Sequence, residues 1–192
     1  MNNTAANTDH DKILVERALH GDKEAFKTII RNTESLTTQT IYKMIANPSD
    51  RKDIAQDVYL NVFKGLGSFR SESKLSTWIA QVAYNCCLGY LRKKKLILVP
   101  AYEDLPAREV VSHNQTAQVV HSRELSGILR TEIDKLPPLY KTLITLYHNE
   151  ELSYAEIVEI TGLPEGTVKS YLYRARKSLR ETLLSSYKKE SL

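Results

Sequence analysis

LSYAEIVEITGLPEGTVKSYLYRARKSLR, residues 152–180, decides the fold. Ser153 is a good helix N-cap, and Glu156 stands three residues later, so the pair predicts a capping box. The helix that follows puts Ile157, Ile160 and Thr161 on one side. Gly162 stops it, because glycine tolerates the left-handed geometry of a helix end. Pro164 opens a second helix, where its missing N–H removes no hydrogen bond. Val168, Leu172, Ala175 and Leu179 recur at helical spacing as a narrow apolar stripe. The other side carries Thr167, Lys169, Ser170, Tyr171, Arg174, Arg176, Lys177 and Arg180. A short capped helix, a glycine turn and a basic amphipathic helix predict a helix-turn-helix whose second helix enters a DNA major groove. Its cations would neutralise phosphates, while Thr167, Ser170 and Tyr171 would face base edges. The competing reading is an ordinary helical hairpin. The run of cations without an acid between Lys169 and Arg180 favours DNA.

Outward from this stretch, periodicity stays helical. Leu125, Ile128, Leu129 and Ile133 form one face after Ser122. Leu136-Pro137-Pro138 ends that helix and begins another, with Leu139, Leu143, Ile144 and Tyr147 apolar. Residues 96–121 have no sustained period and hold two prolines, so they are expected to be an interdomain linker. A brief strand over Leu96–Val99 would have nothing to pair with.

Before the linker, Ile13, Leu14, Ala18 and Leu19 mark a first helix, and residues 1–10 are expected to be a solvated tail. Gly21 ends that helix and Asp22 caps the next, which carries Ala25, Phe26, Ile29 and Ile30. A separate helix is expected over Leu36–Ile45, broken by Asn47-Pro48-Ser49. Asp50 should start another helix, with Ile54, Val58, Leu60 or Asn61, Val62 and Leu66 as its apolar side. Its polar side, with Asp53, Gln56, Asp57 and Asn61, suits a docking surface as well as plain solvation.

GLGSFRSESK, residues 65–74, is a loop with one aromatic beside a cation. That kit can stack on an unpaired base, or Phe69 can simply anchor the loop. Ser76 or Thr77 should cap a long helix with Ile79, Val82, Ala83 and Cys86 as its core face. It ends in Arg92-Lys93-Lys94-Lys95, more cations than a helix dipole requires, which makes a polyanion partner plausible.

Composition narrows the classes. The 192 residues are 42% hydrophobic and 26% charged, with net charge +4, so the chain is a folding one and mildly basic. Adjacent Cys86 and Cys87 do not suit an ordinary disulfide, and the chain is expected to be reduced, intracellular and cytoplasmic. No apolar run reaches membrane-span length, so no membrane insertion is expected. No phosphate loop, metal-spaced Cys/His cluster or nucleophile motif occurs, so no catalytic residue, metal or cofactor is expected. The five histidines are scattered.

Taken together, the motifs resemble the RNA polymerase sigma factors of the extracytoplasmic-function type. Residues 152–180 are similar to the family's region four, LPPLYKTLITLYHNEELS to its lead-in, and ALHGDKEAFKTII to the start of region two. DIAQDVYLNVF resembles the polymerase-docking segment, and FRSESKLSTWIAQVAYNCCLGYLRKKK the segment that melts and reads the downstream promoter box. The resemblance implies an all-α protein of two small helical domains: 11–95, a linker 96–121, and a four-helix domain 122–185. It implies a specificity subunit rather than an enzyme, with core RNA polymerase, promoter DNA (duplex and unpaired non-template strand) and an anti-sigma factor as partners.

On this basis Phe69, Arg70, Ser71 and Lys74 become candidates for holding a flipped base. Trp78, Gln81, Tyr84, Asn85 and Arg92 are candidates for lining the unpaired strand. Asp53, Gln56, Asp57 and Asn61 are candidate polymerase contacts. Three residues depart from the family pattern: Tyr171 where arginine is frequent, Gly89 where aspartate is common, and Tyr59 in place of phenylalanine. The rival readings are a stand-alone transcription regulator and a helical interaction module.

Overall fold

The computed structural model describes residues 3–96 and 122–190, and these are all-α. In order they form α1 (Asn3–Leu19), α2 (Lys23–Met44), α3 (Pro48–Gly65), a 3-10 turn (Leu66–Ser68), α4 (Leu75–Lys93), α5 (Ser122–Lys135), α6 (Pro138–His148), α7 (Tyr154–Thr161) and α8 (Glu165–Glu190). The expected linker lies outside the described residues except for Leu96. Its backbone N–H closes the end of α4 by donating to the Leu91 carbonyl at 2.9 Å, with Lys95 in the left-handed region at φ 53°.

The turn chemistry explains most boundaries. Gly21, at φ 88°, ends α1, and the Asp22 carboxylate accepts from the N–H groups of Glu24 and Ala25 at 2.9 and 3.1 Å. Pro48 sits in the first turn of α3 behind the Asn47 cap, two residues earlier than the expected start at Asp50. Pro138 opens α6 in the same way.

Three expectations are corrected. The tail is helical from Asn3. The two helices expected between Asp22 and Ile45 are one continuous helix of 22 residues. Its middle, Asn32-Thr33-Glu34-Ser35, holds no breaker. Thr33 and Thr40, both buried, donate their hydroxyls to the carbonyls of Ile29 and Leu36 at 2.8 Å, satisfying themselves without leaving the helix. Finally, α4 begins at Leu75, and neither Ser76 nor Thr77 caps it. Lys74 stands at the cap and makes no side-chain cap bond. The missing acceptor comes from α1: the Leu75 N–H donates to Asp11 Oδ2 at 3.3 Å.

Helix α2 is the hub, packing against α1, α3, α4 and α6. Ile29, Ile41, Met44 and Ile45 are at most 2% exposed, and they meet Ile79, Ala80, Ala83 and Cys87 of α4, all fully buried. Leu143 and Leu146 of α6, Ile157 and Ile160 of α7, and Leu172 of α8 continue the same core. Both cysteines are free; burial pushes the Cys87 thiol up to about 12, so it behaves as a small apolar core residue.

The α5–α8 group lies against α1–α4. Lys43 of α2 pairs with Asp134 of α5 at 2.7 Å, and α7 packs along α4. No described helix is long and apolar enough to cross a membrane.

Candidate nucleic-acid and polymerase interfaces

The helix-turn-helix forms as its residues predict. Ser153 Oγ accepts from the Glu156 N–H at 3.3 Å, and Glu156 Oε2 accepts from the Ser153 N–H at 2.9 Å, a complete capping box. Gly162 takes the left-handed geometry at φ 68°, and its N–H donates to the Val158 carbonyl at 2.8 Å. Val168, Leu172 and Ala175 are fully buried, which fixes the rotation of α8.

That rotation sorts the polar residues of α8 into three groups. Lys177 is exposed, and Thr167, Ser170 and Arg174 are half-exposed. Lys169 and Arg176 lie on one flank. Lys169 pairs with Glu165 at 2.6 Å and stands 5.2 Å over the Tyr154 ring. Arg176 stands 5.1 Å over the Tyr147 ring, and its Nε donates to His148 Nε2 at 3.2 Å. Burial and the neighbouring guanidinium hold His148 below its ordinary pKa, which keeps the imidazole neutral and able to accept. Tyr171 lies on the other flank. Its ring packs 5.5 Å from the buried Tyr140, and it comes near enough to Tyr84 of α4 to help burial raise that phenol's pKa. Tyr171 is therefore half-buried between Tyr140 and Arg174, whose guanidinium stands 6.0 Å from its ring.

The second interface is built on the loop after α3 and on α4. The Phe69 and Trp78 rings sit 5.5 Å apart at a 50° tilt, both half-buried against the core, with Arg70 exposed beside them. Ser71 adopts φ 56°, the left-handed region that a side chain enters only when its surroundings hold it there. Asn85 and Arg92 are exposed. The remaining candidates on α4 are engaged with α7. Lys74 Nζ donates to Glu156 Oε1 at 2.7 Å, Gln81 Nε2 donates to the Glu159 carbonyl at 2.8 Å, and Tyr84 is only 3% exposed.

Helix α3 presents two surfaces rather than one. Gln56 joins Phe26, Ala55, Tyr59, Leu60 and Phe63 around an open apolar cleft of about 500 Å³. Leu60 and Phe63 are 55% and 60% exposed, and Phe63 meets Phe26 edge-on at 5.3 Å. Asp57 and Asn61 face the opposite groove, between α3 and α4, where Asn61 Nδ2 donates to Cys86 Sγ at 3.3 Å. Asp53 is exposed. Sequence reasoning missed the apolar part of this surface. Leu60, expected on the apolar side with Ile54, Val58 and Val62, is instead exposed, and Phe63 falls off that stripe while still carrying a large apolar side chain. Among the described residues, no group of three or more His, Cys, Asp or Glu forms a metal site.

Two segments match family models: residues 29–97 match Sigma-70 region 2, and residues 126–179 match Sigma-70 region 4. An all-α chain with those two segments in that order is of the sigma-70 class. The chain is 32% identical over 176 residues to the ECF RNA polymerase sigma factor SigW of Bacillus subtilis, covering 88% of this chain and 94% of that one. It is 30% identical over 178 residues to the ECF RNA polymerase sigma-E factor of Escherichia coli K12, covering 88% and 92%. Among solved structures, CnrH in complex with the cytosolic domain of CnrY shares the fold with a TM-score of 0.63 at 19% identity, covering 92% of this chain and 98% of that one. The chain belongs to the extracytoplasmic-function sigma factors, which bind core RNA polymerase and direct promoter-specific transcription initiation.

Proposed function

We propose that the chain divides this work between residues 11–95, which dock on polymerase and capture the downstream promoter box, and residues 122–185, which hold the upstream box as duplex, with residues 96–121 as the link. The observation that carries the upstream assignment is the capped α7, the left-handed Gly162 and the fixed rotation of α8, which leaves Ser170, Arg174 and Lys177 off the buried stripe. The Phe69–Trp78 pair supports a base-capture role for the loop, with Arg70 and Ser71 at its edge. The exposed Leu60 and Phe63, with Gln56 at the rim, support docking on an apolar partner surface. Asp53, Asp57 and Asn61 supply its polar surround.

In this reading the protein is a cytoplasmic specificity subunit with no catalytic task of its own. An anti-sigma partner is part of the proposal. Of the solved structures that share the fold, RpoE of Bartonella quintana is in complex with the anti-sigma factor NepR and CnrH with the cytosolic domain of CnrY. The apolar faces of α3 and α8 would give such a partner a surface to grip.

The test is reconstitution. The chain, added as the sole specificity factor to core polymerase, should bind it and start transcription at a restricted set of promoters. Replacing Gln56 and Leu60 by alanine together should weaken polymerase binding at least tenfold while leaving duplex affinity unchanged. Unaltered polymerase binding in that variant would overturn the docking assignment.

A further inference from the structure

The flank of α8 that carries Lys169 and Arg176 is backed by two aromatic rings from other helices. Tyr147, in the last turn of α6, and Tyr154, in the first turn of α7, stack with centroids 5.0 Å apart and planes at 26°. Arg176 covers the Tyr147 end of this stack at 5.1 Å, and Lys169 the Tyr154 end at 5.2 Å. The order is cation, ring, ring, cation. Lys169 and Arg176 are seven residues apart, two helical turns, or about 10.5 Å along the axis. The rings therefore span the gap between two charges that share one side of the helix.

We propose that the stacked Tyr147 and Tyr154 are positioning residues for DNA, holding the Arg176 guanidinium and the Lys169 ammonium in place for phosphate contact before the duplex arrives. The inference rests on the reading of α8 as the duplex-binding helix.

Three features carry it. Arginine and lysine on a solvated helix sample many rotamers, and a side chain already fixed in its bound geometry loses less freedom on binding. A ring face holds a cation without neutralising it, whereas a carboxylate would cancel the charge that the phosphate needs. Among the described residues no carboxylate pairs with Arg176; its other neighbours are the Tyr154 hydroxyl, with which it hydrogen-bonds, and the neutral His148 imidazole, which accepts at 3.2 Å and sits edge-on to Tyr147 at 4.9 Å. Lys169, by contrast, is shared with Glu165 at 2.6 Å, so the stronger phosphate contact belongs to Arg176.

The measurement is the affinity of the full chain for a mixed-sequence duplex across a salt series. Tyr147→Leu removes the ring under Arg176. It should lower affinity about three- to tenfold at low salt and reduce the salt slope by about one, the signature of a lost phosphate contact. Tyr147→Phe keeps the ring and should restore both. Arg176→Ala should show the same loss, and the double variant Tyr147→Leu, Arg176→Ala should be no worse than either single one, because both remove one contact. His148→Ala, at an exposed position that does not threaten folding, should give a smaller loss in the same direction. A wild-type slope in Tyr147→Leu, alongside a reduced slope in Arg176→Ala, overturns the positioning role. An unchanged slope in Arg176→Ala instead overturns the assignment of this flank to DNA.

Discussion

Helices α4 and α8 both carry candidate DNA contacts, yet the structure treats them differently. The polar face of α8 opens on solvent at Ser170 and Lys177, with its charges backed by rings. The polar face of α4 is turned against α7, where Lys74 and Gln81 are bonded to the first and second turns of that helix and Tyr84 is closed off. Under the proposed division of labour, the upstream reader is thus accessible in this arrangement, and the downstream reader is only partly so. Arg70 and Asn85 remain at the surface and Phe69 half-buried, and in the proposed reading a strand would follow α4 only after α7 gives up Lys74 and Gln81.

The contrast is broken most strongly through the core. Leu172→Ala removes a fully buried side chain between α8 and its neighbours, which should destabilise the fold by about 2–5 kcal/mol and abolish duplex binding near the lowered melting temperature. A denaturant titration followed by circular dichroism measures it. A midpoint equal to wild type would mean that α8 does not depend on this packing.

A smaller effect is expected where α4 and α7 meet. Glu156→Gln keeps the capping-box acceptor for the Ser153 N–H but removes the charge opposite Lys74, and should raise affinity for an unpaired non-template oligonucleotide about two- to fivefold, the equivalent of a surface ion pair worth ~0.5–1 kcal/mol. X-ray scattering should show a larger radius of gyration. The same contact responds to acid. Burial pushes the Glu156 carboxyl up, but Lys74 and the Ser153 donors outweigh it and hold the pKa below the ordinary 4.5. A carboxylate whose folded pKa is depressed stabilises above its unfolded pKa, and that contribution fades as pH falls through the folded value. The α4–α7 contact should therefore hold at neutral pH and loosen as pH falls below 4.5. Loosening between pH 5 and 8 would assign the contact to another group.

The smallest effect concerns Gly89. A Cβ placed there meets nothing within 4 Å, so the interior of α4 has room for a side chain. Gly89→Ala should stabilise by about 0.5–1 kcal/mol through helix propensity alone, visible as a rise of a few degrees in melting temperature. A loss of stability or of polymerase binding would show that the α3–α4 groove it borders needs to stay open there.

What the sequence made legible follows from where the physics is local. The capping box, the Gly162 turn, the stripe on α8 and the Asp22 cap depend on residues a few positions apart, and all form as read. The break expected near Thr33 does not occur, because a threonine can satisfy its hydroxyl on the preceding turn as readily as in a loop. Tyr171 was expected at a base edge on the strength of its place near the start of the helix. Its half-exposed ring also packs on Tyr140, 31 positions earlier in the sequence, and approaches Tyr84, 87 positions earlier, and no periodicity reports such pairings. The ring stack behind Arg176 was hidden for the same reason. Tyr147 read as one apolar position among several, and only the fold brings it beside Tyr154.

The borrowed cap on α4 has a consequence for how mutants of this protein would sort. The N–H that starts the helix carrying Trp78 finds its acceptor on Asp11, 64 positions earlier, in a carboxyl that burial already pushes up. Asp11 is not itself one of the candidate promoter contacts. Under the role proposed for Trp78, a genetic selection for strand-opening defects would still return Asp11 beside it, and anyone mapping the proposed promoter pocket from such a collection would draw one wall of it too far away.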